Sequence, residues 1–209
     1  LREVLKHKTV ETAVMIDIDQ KVVETARKYL PSFHQGAFDD PRTELVFADA
    51  RKYFETTDRT FDVVIVDLTN PVSGGPSYYL FTLEFYEILR SRLNPGAVVC
   101  LQSDSGSPVV SLPFSSVHRT LKESFEIVRP YLAHVPSYGT AWAFHVVSLE
   151  TDPAAISPEW VDSRISSRIQ GELRFYDGIT HQGMFCIPKH VRKMLAEQTN
   201  ILRDDKPLL

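Results

Sequence analysis

The chain has 209 residues, 43% of them hydrophobic and 24% charged, with a formal net charge of -4. That balance belongs to a globular chain able to bury a core, and excludes a disordered or repetitive one. The mild negative charge speaks against a broad nucleic-acid-binding face. The apolar runs are too short to cross a bilayer. Two cysteines provide neither a disulfide framework nor a Cys-rich zinc site, so a reducing, cytoplasmic setting is expected.

Leu1 to His7 reads as part of an amphipathic helix, apolar at Leu1, Val4 and Leu5, with no capping residue ahead of it, so position 1 reads as a cut. Ala13-Val14-Met15-Ile16 is a short buried strand ending in Asp17-Ile18-Asp19. A helix follows from Lys21 to Leu30, stopped by Pro31. Leu45-Val46-Phe47 predicts a second strand that ends at Asp49, then a helix from Ala50 to Glu55. Phe61 to Val66 is the strongest strand signal and ends at Asp67. A Pro/Gly/Ser-rich loop spans Asn70 to Ser77. The next helix carries Phe81, Phe85, Ile88 and Leu89, with Asn94-Pro95-Gly96 as its stop. Ala97 to Leu101 is a strand, Val117, Leu121 and Phe125 mark a helix, and Ile127 to Ala133 with Trp142 to Ser148 form a closing antiparallel pair. Beyond Glu150 the pattern loosens into helices over Pro158 to Ile169 and Pro188 to Gln198, with a frayed or neighbour-packed tail from Asp204 to Leu209. Repeated strand-helix units specify an α/β fold, a mostly parallel sheet with an antiparallel edge and helices on both faces.

Three successive strands end in acids, at Asp17 with Asp19, at Asp49 and at Asp67. Ligands of open parallel sheets bind beyond the carboxyl ends of the strands. Each acid taken singly is better explained as a helix or turn cap; three in strand-end register favour a ligand site. Asp17 suits a ribose hydroxyl, as the acid of a nucleotide-binding sheet does about 20 residues after a glycine-rich turn. Asp49 with Ala50 suits adenine. Asp67, after what reads as the most buried strand, could hold an ammonium group or orient an amine, and the loop beyond it could serve as a lid.

Asp17-Ile18-Asp19, Asp49-Ala50, Asp67-Leu68-Thr69-Asn70-Pro71, Gly75-Pro76 and Pro136-Ser137-Tyr138 occur in the order found in polyamine aminopropyltransferases, and the chain resembles this family of spermidine, spermine and thermospermine synthases over nearly its whole length. Leu173 to Asp177 and Phe185 to Lys193 resemble its C-terminal pattern. Gly74 to Tyr78 and Trp142 are closest to the thermospermine-synthase-like branch. The resemblance implies a Rossmann-like, methyltransferase-type nucleoside-binding domain over residues 1–150, with residues 151–209 as its C-terminal helical extension. It implies decarboxylated S-adenosylmethionine as co-substrate, no metal, a polyamine acceptor such as putrescine or spermidine, and a homo-oligomer. It also implies a longer biological chain, with a glycine-rich strand-turn and a β-rich N-terminal domain ahead of Leu1. By this likeness Asp17, Asp19, Asp49, Ala50 and Leu68 bind the donor, Asp67 and Tyr138 act at the reacting amine, and Gln102 and Asp104 line the acceptor pocket.

Asn70 departs from the pattern, for the family carries an Asp there that accepts a proton or anchors the amine, whereas an amide takes no proton there and brings no charge. The rival readings are a methyltransferase using intact S-adenosylmethionine and a catalytically lapsed polyamine-binding paralogue, the latter supported by Asn70. The seven histidines show no metal-ligand spacing. His145, His181 and His190 read as core or solvated side chains, and Cys100 and Cys186 as packing residues.

Overall fold

A computed structural model describes residues 1–70, 75, 77–107 and 109–207. In chain order its elements are α1 (Arg2–Leu5), β1 (Ala13–Asp17), α2 (Gln20–Tyr29), α3 (Pro31–His34), β2 (Thr43–Phe47), α4 (Ala50–Thr56), β3 (Phe61–Val66), α5 (Leu83–Arg90), β4 (Leu93–Ser105), α6 (Leu112–Ser124), β5 (Ile127–Val135), β6 (Thr140–Ser148), α7 (Pro158–Arg168), α8 (Gly178–Met184) and α9 (Lys189–Glu197). The chain forms two compact units, Leu1–Thr57 with Pro158–Gly178, and Asp58–Ser157 with Ile179–Leu209.

In the first unit β1 and β2 run parallel, in register from Ala13 with Thr43 to Asp17 with Phe47. Leu5, Ala13 and Ala37 form a small buried cluster, with Leu1, Val4 and Val10 packed against it. Arg42 ties this unit together. Its guanidinium donates to the Leu5 carbonyl at 3.0 Å and grips Asp40, whose carboxyl it holds down to about 2. The end of α7 joins the end of α1 through Lys8 N–H to the Arg168 carbonyl and Gln170 N–H to the Lys6 carbonyl, both 2.8 Å.

The second unit holds a four-stranded sheet in the order β3-β4-β6-β5. β3 pairs parallel with β4, while β6 is antiparallel to both β4 and β5, as the closing pair in the sequence predicts. Alternation along β6 sends Ala143, His145 and Val147 to a buried face. There Ala143 clusters with Phe114 of α6 and with Ile187, Val191 and Leu195 around α9. The opposite face of the sheet carries Cys100, Gln102, Tyr131, Trp142 and Phe144; Tyr131 and Phe144 stack with centroids 5.1 Å apart.

Several boundaries differ from the sequence expectation. α5 ends at Arg90, and the chain enters β4 at Leu93, so Asn94-Pro95-Gly96 lies inside that strand. Gly96 sits there at φ +75°, a conformation that costs a residue with a Cβ more. The polar, glycine-containing segment of α8 shows no apolar period, yet it is helical. The tail is held at its start: Thr82 Oγ1 donates to Asp204 Oδ1 at 2.7 Å, Asp204 N–H donates to Glu84 at 3.0 Å, and Leu202 is buried. Leu208 and Leu209 lie outside the described residues. Cys186 is exposed instead of packed.

A polar chain crosses the core of the second unit. Ser103 Oγ lies 2.7 Å from His145 Nδ1, and His145 Nε2 lies 3.1 Å from His118 Nδ1. Neutral imidazoles each give one donor and one acceptor, so the chain can run in one direction from end to end; a second proton on both rings would set two donors against each other. Burial enforces the neutral state, lowering His118 to about 4 and holding His145 well below the ordinary imidazole value. The unfolded chain takes up these protons near the ordinary value of 6.5. Protons are therefore bound preferentially by the unfolded state as the pH falls, and stability declines from about pH 6.5 towards 4. The thermal midpoint should fall across this window, and His118→Gln should remove part of the fall. A midpoint independent of pH between 7 and 4 would contradict this account.

Candidate active site

In the first unit the acids after β1 and β2 do structural work as well as standing at strand ends. Asp17 Oδ1 accepts from Asp19 N–H at 2.8 Å, closing the turn out of β1. Asp19 is the N-cap of α2, its side chain accepting from Lys21 N–H at 2.8 Å. Asp49 is the N-cap of α4 and accepts from Lys52 N–H at 3.2 Å. Capping satisfies amides that a helix leaves unpaired at its start. It occupies one carboxylate oxygen and leaves the other available. Asp17 is half-buried, Asp19 and Asp49 are exposed, and Ala50 opens α4.

In the second unit Asp67 follows β3 with an exposed side chain, and Leu68 and Asn70 are half-buried beyond it. The loop that leaves here returns at Ser77, a buried residue whose Oγ donates to the Thr69 carbonyl at 2.9 Å and lies 3.3 Å from the Asn70 carbonyl. Ser77 thus pins both ends of the loop. Pro71, Gly74 and Pro76, which the sequence places in the loop, lie outside the described residues.

Gln102, near the end of β4, is buried and fully engaged. Its Nε2 donates to the Leu68 carbonyl at 2.8 Å and lies 3.4 Å from Asn70 Oδ1. Its Oε1 accepts from Asp104 N–H at 2.9 Å and from Trp142 Nε1–H at 3.2 Å. The side chain offered by the sequence as a pocket wall is therefore the joint that holds β4, β6 and the Asp67 loop in place. Asp104 lies at φ +71°, a left-handed conformation in which Asp is tolerated better than most residues, and its Oδ1 accepts from Ser105 N–H.

Tyr138 ends a single 3-10 turn, Pro136–Tyr138, that Gly139 closes at φ +65°. Its ring lies 4.3 Å from that of Trp142 and is mostly exposed. Trp142 is thus a residue with two contacts, a shelf under Tyr138 and a hydrogen-bond donor to Gln102. Sequence reading marks it only as a branch resemblance, because Gln102 and Trp142 are 40 positions apart. The Cys100 thiol on the same sheet face is pushed up chiefly by burial and further by the Asp67 carboxylate, against the lowering effect of its hydrogen bond with Tyr131. Among the described residues no cluster of three or more His, Cys, Asp and Glu side chains is placed to hold a metal ion, and no helix is long and apolar enough to cross a membrane.

Comparison with known proteins places these features in a family. Residues 1–156 match the family model described as the spermine/spermidine synthase domain. Over the whole chain it is 45% identical to polyamine aminopropyltransferase 2 of Hyperthermus butylicus and 43% identical to the polyamine aminopropyltransferase of Sulfurisphaera tokodaii, spanning 68% of the length of each. A spermidine synthase solved with the transition-state analogue AdoDATO superposes with a TM-score of 0.83 at 33% identity, over 94% of this chain and 65% of that one. The spermidine synthase of Thermotoga maritima gives 0.80 at 31%, over 94% of this chain and 64% of that one. These neighbours carry the Rossmann-like α/β fold expected from the sequence.

The two capping acids can be separated from their neighbour by stability alone. Asp19→Ala and Asp49→Ala should each cost about 1 kcal/mol, seen as a fall of about 2–4 °C in thermal midpoint for a chain of this size. Unchanged midpoints would mean that neither cap contributes.

Proposed function

The chain belongs to the spermine/spermidine synthase family, and from that premise we propose the following assignment of reaction and residues. It is a polyamine aminopropyltransferase, taking the aminopropyl group of decarboxylated S-adenosylmethionine to an amine acceptor such as putrescine or spermidine. Residues 1–150 form its nucleoside-binding domain, and residues 151–209 extend that domain with helices. Asp17 accepts hydrogen bonds from the donor's ribose, with Asp19 beside it, while Asp49 and the Ala50 backbone meet adenine and Leu68 contacts the donor. Both substrates are cationic, so acids suit both.

The amine nitrogen attacks the aminopropyl carbon bonded to the sulfonium. The carbon–sulfur bond breaks with its electron pair going to sulfur, which leaves as the neutral thioether of methylthioadenosine. The new carbon–nitrogen bond leaves one surplus proton on nitrogen, which passes to a base or to water. Asp67 holds the ammonium or aligns the attacking amine, and the Tyr138 hydroxyl bridges to it. Asp104 lines the acceptor side, and Gln102 shapes that side through the groups it fixes. Much of the remaining acceleration is orientation of two bound reactants. The observation that carries the reading is the exposed Asp67 carboxylate at a strand end whose loop is tied, through Gln102 and Trp142, to the shelf beneath Tyr138. Asn70 supports a second reading, a lapsed paralogue that binds polyamine without turning it over. The thermospermine-like branch, a cytoplasmic location and a homo-oligomeric state complete the proposal; the first rests on the sequence Gly74-Gly75-Pro76-Ser77-Tyr78 together with Trp142.

A methylthioadenosine-release assay with a panel of amines decides between turnover and binding alone. Asp67→Asn should lower kcat by about 100-fold or more, and Tyr138→Phe by about tenfold, the latter with an unchanged thermal midpoint because the ring and its shelf remain. Asp17→Asn should raise the KM for the donor by about tenfold or more with a smaller change in kcat. Release by no amine, from a folded full-length protein, would remove the enzyme reading.

A further inference from the structure

A helix leaves the backbone N–H groups of its first turn without partners of its own. At the start of α5 part of the supply comes from a segment 120 positions away. Leu83 N–H, the first of α5, donates to the Leu202 carbonyl at 2.8 Å. Thr82, the N-cap, is fully buried; its Oγ1 stands 2.7 Å from Asp204 Oδ1, 3.2 Å from the Tyr79 carbonyl and 3.5 Å from Phe85 N. A hydroxyl has one proton, and the nearer, charged carboxylate is its better acceptor. Asp204 N–H donates in return to Glu84 at 3.0 Å. A capping box closes such a reciprocal pair within one helix start; here one half of the pair lies on the C-terminal segment. That segment is shaped for the task. Arg203 and Lys206 exchange both backbone hydrogen bonds, at 3.1 and 3.0 Å, so Asp204 and Asp205 form the tip of a closed turn. Leu202 ahead of the turn is buried, and its N–H donates to Thr120 Oγ1 of α6 at 2.9 Å.

We propose that Leu202 to Lys206 is a strap that completes the N-terminal cap of α5 from outside the helix, and that the strap, the first turn of α5 and the single 3-10 turn Tyr78–Leu80 open and close as one local unit. Thr82 is the link between the parts, since its hydroxyl sits between Asp204 and the Tyr79 carbonyl. Leu80 N–H then passes the connection to the Ser77 carbonyl at 2.9 Å. Undocking the strap takes the partner from Leu83 N–H and the charged acceptor from a buried hydroxyl, so the start of α5 loses its reason to stay closed. The ladders of β4 with β3 and β6 share none of these bonds. Opening of the unit therefore costs less than unfolding of the sheet. The unit ends at Ser77, where the loop after Asp67 is fastened, and the inference is independent of the reaction assigned to that site.

The test is native-state hydrogen exchange of the full-length protein, read amide by amide. Asp204→Ala should speed exchange at Leu80, Leu83 and Tyr86 by about five- to tenfold, the loss expected for one cap. The β4 amides from Val98 to Leu101 should exchange as before. Asp204→Asn keeps an acceptor for the Thr82 hydroxyl and should restore most of the protection. Thr82→Val removes that hydroxyl and keeps the shape of the side chain; in its presence Asp204→Ala should add little, because both changes delete the same bond. Glu84→Ala, which removes the acceptor of the Asp204 N–H, should give the same pattern and serves if Asp204→Ala does not fold. Unchanged exchange at Leu83 in Asp204→Ala overturns the proposal, as does an equal acceleration in β4, which is a loss of stability throughout the unit. Acceleration at Leu83 with Leu80 unmoved overturns it too, since the 3-10 turn would then be independent of the strap.

Discussion

The side chain of Gln102 is buried near the end of a strand, where a hydrogen-bonding group without a partner would cost about 1–3 kcal/mol. Both halves of its amide are satisfied, and the partners come from three segments: the loop after β3, its own strand end and β6. That requirement for complete pairing ties the three segments to one another. It sets the carbonyl of Leu68, and with it the direction in which the chain leaves Asp67. It brings the Trp142 indole to the sheet face on which Tyr138 rests. On the other face of the same strand Ser103 begins the buried imidazole chain, so one stretch of β4 is hydrogen-bonded through side chains on both sides.

For the acids of the first unit, a capping role and the proposed ligand role do not exclude one another. Asp19 and Asp49 cap helices with one oxygen, which fixes their rotamers before any ligand arrives. A carboxylate so fixed loses less side-chain freedom on binding than one on a flexible stem. Asp17 is similarly restrained by the amide of Asp19. Where a helix start and a strand end coincide, one residue type serves both purposes, and the sequence signature of a cap is also that of a ligand site.

The parts of this fold that were legible in the sequence are those in which the local pattern is strong. β3, with Asp62 as its one polar residue, appears at Phe61–Val66, its expected bounds, but it is not the most buried strand that its sequence suggests, since Val63 and Ile65 are exposed. The antiparallel pair and the strand-end acids follow from the same logic. α8 was not legible, since Gly178 to Met184 has two glycines and no apolar stripe; its start is fixed by Asp162 accepting from Gly178 N–H at 2.7 Å, a contact 16 residues away in sequence. Asn94-Pro95-Gly96 carries the composition of a stop but stands within a strand. For the candidate site the residues themselves were legible and their coupling was not. Gln102 meets Leu68 across 34 positions and Trp142 across 40, and nothing local distinguishes a glutamine that lines a pocket from one that clamps a loop.

Ser77 gathers the two ends of the loop after Asn70 onto a single hydroxyl. A segment whose ends are fastened together at its base transmits little of its own length or composition to the residues outside it. Closure entropy grows only slowly with length, so lengthening such a segment costs the fold little. Substitutions, insertions and deletions between the two fastened points can then be sampled by evolution while the Asp67 end stays still. The fastening thereby separates whatever happens between residues 70 and 77 from the position in which Asp67 stands.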